Sequence, residues 1–232
     1  ITVRNCDISN FVASDNSGQI RVLPRTENIL IENNRLHDRQ PYSGDTSKGW
    51  NAAGIHIFYA GTLTIRNNEV YSTNNGIYYK GSVVNGKITI IENNLIYNQD
   101  KWGISVSKSD CIIRNNIIYN TGVSLGTPAI QVFEESSSCD KLESKNNQIL
   151  HNTIVACPRG IYLERSTSCE GAVNTIVKDN LIYNFTNNEM RGLAVLPYWT
   201  GSDTSNTTFD HNLIYSSSFS SPIRVLGNYY TT

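Results

Sequence analysis

The sequence predicts an all-β fold of solenoid type, in which about eight coils of three short strands stack as parallel sheets. Three observations predict it. One phrase recurs along the whole chain: "ILIENNRLHD" (29–38), "LTIRNNEVYS" (63–72), "ITIIENNLIYN" (88–98), "CIIRNNIIYN" (111–120), "TIVKDNLIYN" (175–184) and "TTFDHNLIYS" (207–216), with "ITVRNCDISN" (1–10) and "NQILHNTIVAC" (147–157) as looser copies. Each copy sets a polar pair, usually two asparagines, between two apolar positions at a constant offset. The composition also suits strands and turns: asparagine supplies 29 of 232 residues, whereas there are only eight alanines and one methionine.

The elements follow in order. The second residue of each polar pair is Cys6, Asn34, Asn68, Asn94, Asn116, Asn152, Asn180 or Asn212. Three residues earlier stand Val3, Ile31, Ile65, Ile91, Ile113, Ile149, Val177 and Phe209; two residues later stand Ile8, Leu36, Val70, Ile96, Ile118, Ile154, Ile182 and Ile214. These are the inward positions of two short strands with a sharp bend between them, and asparagine tolerates the left-handed backbone such a bend requires. A third strand follows each copy, as in "GQIRVL" (18–23), "AGIHIF" (53–58), "NGIYYK" (75–80), "WGISVS" (102–107), "PAIQVF" (128–133) and "RGIYLE" (159–164). The shortest repeat is 22 residues, so insertions are expected to form loops on a constant coil.

Stacked coils lie about 4.8 Å apart, which places each asparagine above the next and predicts an internal ladder of paired amides. Two places before the ladder, Arg4, Glu32, Arg66, Glu92 and Arg114 alternate in sign, as outward neighbours on a parallel sheet should. Three places after it, Tyr71, Tyr97, Tyr119, Tyr183 and Tyr215 form a column. That column is expected to stack along the wall, with sugar binding as its second reading. No exposed apolar stripe of the kind a trimeric fibre needs is visible.

Bulk properties exclude some classes. A net charge of −1 with scattered Lys and Arg gives no footprint for nucleic acid. No apolar run approaches the roughly 20 residues of a membrane-spanning helix. One domain is expected over 1–232, as a piece of a longer protein, because the chain opens within a repeat and neither end carries a cap. End-to-end contact with the missing part or with another copy is the corresponding expectation. Of five cysteines, Cys6, Cys111 and Cys157 read as buried small hydrophobes, while Cys139 and Cys169 occupy equivalent loops and are candidates for a bridge.

The repeated "ENN", "RNN" and "GIxhx" phrases resemble the right-handed parallel β-helix superfamily, the fold of pectate lyases, polygalacturonases, alginate lyases and uronan epimerases. The resemblance covers essentially the whole chain and implies a single-stranded, right-handed parallel β-helix. It also implies a secreted or cell-surface protein of bacterial origin that holds a polysaccharide along the outward face of the "GIxhx" strand. On that strand the outward columns are Arg21, His56, Tyr78, Ser105, Gln131, Tyr162, Ala194 and Arg224, then Leu23, Phe58, Lys80, Ser107, Phe133, Glu164, Leu196 and Leu226.

No outward aspartate suits a hydrolase pair. A uronate lyase needs a cation for the substrate carboxylate and a base for the neighbouring proton. Lys80, His56 and Tyr78 are the catalytic candidates, with Lys108 one coil further. Phe58, Gln131, Phe133, Tyr162, Glu164, Arg165, Tyr198 and Trp199 are the substrate-binding candidates. No cofactor is expected. Calcium is the one cation that Glu164, with Glu134 and Glu135, would suit. The expected partner is an anionic polysaccharide, and the leading function is a polysaccharide lyase. The alternative is a non-catalytic segment of a surface or adhesin-type protein, serving as a glycan-binding module or spacer.

Overall fold

The computed structural model describes residues 1–12, 15–39, 51–81, 86–133, 144–165, 172–186, 193–197, 206–217, 223–225 and 228–230. Its strands form three sheets of eight, eight and nine strands, and each sheet takes every third strand in chain order along the coils. That order is the signature of a parallel β-helix. One strand departs from it: Asn228–Tyr230 pairs antiparallel with Ile223–Val225 at the edge of the third sheet.

Register is held by identical residues stacking on one another. In the first sheet Ile31, Ile65, Ile91, Ile113, Ile149, Val177 and Phe209 are Cα partners coil by coil. In the second, Leu36, Val70, Ile96, Ile118, Ile154, Ile182 and Ile214 do the same. Both columns lie in one continuous core with Ile20, Ile55, Ile77, Ile104, Ile130 and Ile161 of the third sheet. A slip of one residue would turn all of them out to water, so this pattern fixes the register strongly.

The paired asparagines divide two tasks. The first of each pair takes the left-handed backbone: φ is 55° at Asn33, Asn67, Asn93 and Asn115, and 54°, 56° and 50° at His151, Asp179 and His211. The second turns its side chain inward. Nδ2 of Asn34, Asn68, Asn94, Asn116 and Asn152 each donates to Oδ1 of the next ladder asparagine at 3.0 Å, and Asn180 donates to Asn212 at 2.9 Å. The same Oδ1 accepts the preceding coil's backbone N–H, as from Cys6 to Asn34 at 3.1 Å and from Asn68 to Asn94 at 3.0 Å. The second Nδ2 hydrogen reaches a carbonyl one coil back, Ile65 in the case of Asn94 at 3.1 Å. Every polar valence of the buried amide is used, which is why it can be buried.

Glycine in the "GI" phrase has its own reason. A Cβ on Gly76 would stand 2.4 Å from the Gly103 carbonyl oxygen and 2.7 Å from Ile96 Cγ2. The second and third sheets approach here too closely for any side chain.

Outside the wall, the alternating charges pair in couples. Arg66 Nε and Nη2 donate to Glu32 Oε2 at 2.9 and 2.8 Å, and Arg114 Nε to Glu92 Oε2 at 2.8 Å. Tyr71, Tyr97 and Tyr119 stack at 4.8 Å with planes within 5°. Their faces cover one another and only edges remain for solvent, so the stacking reading holds over sugar binding.

Two expectations need correction. An exposed apolar stripe does run along the second sheet: Leu213 is 66% exposed and Tyr215 51%, with Ile117, Leu181 and Tyr183 also open. These are the outward residues one and three places after the ladder. Cys111 and Cys157 are buried free thiols as expected, whereas Cys6 is only half-buried. Cys139 and Cys169 lie outside the described residues.

Candidate functional site

The third sheet brings the candidate residues together in the register the sequence implied. His56 is partnered by Arg21 on one side and Tyr78 on the other; Tyr78 is followed by Ser105, Gln131 and Tyr162. Phe58 lies beside Lys80. Because strand residues alternate in direction, these side chains leave the solenoid on the side opposite the Ile20–Ile161 core.

The expected open groove is not what they form. His56 has 0% exposure, and Tyr78, Ser105, Gln131 and Tyr162 are all buried; Phe58, Lys80 and Phe133 are half-buried and Arg21 is exposed. The outer face is a second packed layer of rings. The His56 imidazole stacks on Tyr78 at 5.4 Å and meets the edge of Phe58 at 4.9 Å. Tyr78 lies 5.7 Å from Trp102 and 6.1 Å from Phe133. Arg21 Cζ and Lys80 Nζ each stand 5.9 Å from the Phe58 ring centre. Period-two patterning reports which side of a sheet a residue takes, but it carries no information about what covers that side.

Polar groups in this layer are unevenly served. Ser105 Oγ donates to Gln131 Oε1 at 3.4 Å. Neither nitrogen of His56 has a hydrogen-bond partner. The Asn16 backbone lies near enough to raise the ring's proton affinity slightly, without meeting either nitrogen in a hydrogen bond of ordinary geometry. Burial, reinforced by the positive Arg21 and Lys80, pushes the imidazole down to about 4, so it is neutral at neutral pH. Burial pushes the Tyr78 phenol up, and Asp15 adds to the shift.

Sequence reasoning missed two members. Asp15, in the turn before Gly18–Val22, accepts the Asn51 N–H at 3.0 Å and acts electrostatically on His56, Tyr78 and Lys101. Lys101 is fully buried, with Nζ 4.4 Å from the Trp102 ring centre, and burial pushes its ammonium down to about 7. The adjacent Lys–Trp pair before a "GI" strand was its only sequence signal.

Lys108 is corrected the other way. Its ammonium is buried, donates to the Lys87 carbonyl and to Thr89 Oγ1 at 3.0 Å, and lies over Tyr79, so it ties two turns together. The strand Arg159–Arg165 carries Glu164 and Arg165 in register with Leu196 and Pro197. The side chains of Glu164 and Arg165, and all of Glu134, Glu135, Tyr198 and Trp199, lie outside the described residues.

Comparison with known proteins gives one family and a distant likeness of fold. A family model described as "Periplasmic copper-binding protein (NosD)" matches residues 1–232. Among solved structures, the A-module of mannuronan C-5 epimerase AlgE6 of Azotobacter vinelandii is similar at 15% identity and a TM-score of 0.38, over 87% of this chain and 64% of that module. This chain thus spans less than two thirds of that module. The AlgE4 A-module of the same organism is similar at 12% identity and a TM-score of 0.36, over 100% of this chain and 88% of that one. No curated protein matches.

The copper in the family description finds no centre among the described residues, where no three His, Cys, Asp or Glu side chains converge. Burial also pushes the Cys111 and Cys157 thiols up to about 12 and about 11, away from the thiolate that a soft metal needs.

Proposed function

The chain belongs to the NosD family, a right-handed β-helix family, and we propose that it is a periplasmic carbohydrate-active protein that binds an anionic polysaccharide at the outer face of its third sheet and cleaves it as a uronate lyase. The observation that carries this reading is His56. A buried imidazole kept neutral with both nitrogens unpaired is costly unless something else supplies its partner. It stands beside two cations, Arg21 and Lys80, that suit a carboxylate, and beside Phe58, whose half-exposed ring suits a sugar face.

In this reading the cations hold the uronate carboxylate and draw charge from the neighbouring C5–H bond. A base from the set His56, Tyr78 and Lys80 takes the C5 proton. The electron pair forms the C4–C5 double bond as the C4–O bond breaks, and the departing sugar oxygen receives a proton.

One observation favours a second reading. The burial of His56 and Tyr78 suits a packed layer beneath a non-catalytic glycan-binding surface made of Arg21, Phe58 and Lys80. A panel of pectate, alginate, chondroitin and dermatan, followed in the ultraviolet for the unsaturated product, separates the two. A rising signal on one polymer that disappears in Lys80→Ala supports the lyase. A flat trace on every polymer, with binding retained, leaves the glycan-binding module.

A further inference from the structure

Bends in this chain follow one rule and break it beside the candidate site. Among the described residues, 23 other than glycine hold the left-handed backbone, and 19 of these are Asn, Asp or His, the types that tolerate it. Ser72 and Ala156 are isolated exceptions in a column of turns otherwise made by Asn10, Asp38, Asn98, Asn120 and Asn184. Arg25 and Tyr59, at φ 68° and 47°, are different. They occupy the same turn on consecutive coils: the Arg25 N–H donates to the Tyr59 carbonyl at 3.2 Å, and the Tyr59 N–H to the Lys80 carbonyl at 3.1 Å. That turn follows the strand ending at Phe58, and both residues are exposed. Bulky side chains at such angles strain the backbone. The next coil makes room for the tyrosine. A Cβ on Gly81 would stand 2.7 Å from the Tyr59 backbone nitrogen and 3.1 Å from its ring carbon Cδ1. The Tyr59 ring centre lies 5.8 Å from that of Phe58, with the planes 34° apart, and 38% of the residue stays open.

Resting on the glycan-binding reading above, we propose that Tyr59 and Arg25 form a second sugar subsite beside Phe58, the Tyr59 ring serving as the platform for one acidic sugar residue and the Arg25 guanidinium taking a carboxylate. Asparagine, which makes most other bends of the chain, would relieve both turns without altering the coil. Strain that persists in two neighbouring turns therefore marks a task of the side chains themselves. The pair supplies the two things an acidic sugar needs, a flat apolar face and a planar cation. The Phe58–Tyr59 spacing of 5.8 Å is close to one pyranose residue along a chain, so the two rings suit consecutive sugars. The ligand class is a uronate oligomer of at least two residues. A neutral oligomer would use the ring but gain nothing from Arg25.

The test is calorimetry with trigalacturonate and, separately, trimannuronate, on the wild type, Tyr59→Asn, Tyr59→Phe, Arg25→Asn and Phe58→Ala, at low and high salt. Melting temperatures are read on the same preparations. For the trimer that binds, Tyr59→Asn should lose about three- to tenfold in affinity at either salt concentration, and Tyr59→Phe should recover it. Arg25→Asn should lose a similar factor at low salt and less at high salt. Both asparagine variants should melt no lower than the wild type, because the strained turn is relieved, so the loss of binding is not a loss of fold. An unchanged affinity in Tyr59→Asn, an equal loss in Tyr59→Phe, or a lower melting temperature in Tyr59→Asn overturns the proposal and leaves Tyr59 as packing on Gly81. If Phe58→Ala weakens binding while Tyr59→Asn and Arg25→Asn do not, the subsite falls and the glycan-binding reading stands. Failure of the wild type to bind either trimer overturns both.

Discussion

Nδ2 of Asn68 donates to Oδ1 of Asn94 at 3.0 Å, and the backbone N–H of Asn68 donates to the same oxygen at 3.0 Å. One side-chain oxygen thus closes a buried bend of the coil before it. Six such links run from Asn34 to Asn212.

Removing one rung disturbs several partners at once. Asn94→Ala strands the Asn68 N–H and takes one partner each from the Asn68 amide, the Ile65 carbonyl and the Asn116 Oδ1, which keeps the residue-94 N–H. At about 1–3 kcal/mol for an unsatisfied buried group, with each lost partner adding to it, a loss of about 3–5 kcal/mol is expected. Its neighbour Asn93, at φ 55°, behaves differently. Asn93→Gly should be nearly neutral and Asn93→Val should cost about 1–2 kcal/mol. Urea unfolding of the three variants checks the division of tasks; equal losses at both positions would contradict it.

The close approach at Gly76 predicts a sharp size limit. Gly76→Ala drives a methyl to 2.4 Å from a backbone oxygen that cannot step aside. A loss of about 2–4 kcal/mol is expected, against about 1 kcal/mol or less for Gly86→Ala, where no atom lies within 4 Å and only the positive φ of 74° opposes the change. Thermal unfolding of the pair measures the difference.

Stability should depend on pH through His56. Its pKa falls from 6.5 in the unfolded chain to about 4 in the fold, so between those values the unfolded state binds more protons. Above 6.5 the group is neutral in both states and costs nothing further. As pH drops from 6.5 to about 4 the fold should lose stability, and below that the loss is complete. The size is about 3 kcal/mol from roughly 1.4 kcal/mol per unit. Denaturant titrations across this range should show the slope in the wild type and a flatter profile in His56→Phe.

At the site surface, Phe58→Ala and Lys80→Ala should each weaken binding of a uronate oligosaccharide by about tenfold, the first through lost ring contact and the second through lost charge. Raising the salt concentration should reduce the effect of Lys80→Ala more than that of Phe58→Ala. Affinities measured at two ionic strengths decide this.

Much of this molecule was legible in its sequence because a solenoid repeats its reasons. Ile31, Ile65 and Ile91 each predict the next, and the ladder offset is the same in every coil. The task of the first asparagine was less visible until His151, Asp179 and His211 were seen to share its backbone angle. The site was legible only by direction. Alternation placed His56, Tyr78 and Phe58 on the outer side correctly, but burial there depends on segments distant in sequence, which no local period encodes. Lys101 was missed for the same reason: a lysine is ordinarily solvated, and only its packing on Trp102 makes it otherwise.

In the proposed function the buried, unpaired imidazole of His56 is kept for a ligand. His56→Phe tests it most directly, with melting temperature and uronate affinity measured on the same preparation. A more stable protein at neutral pH is expected, because a ring without polar atoms replaces an unsatisfied one, together with an affinity at least about tenfold weaker. A more stable protein whose affinity is unchanged would contradict it, and His56 would then be part of a packed layer and nothing more.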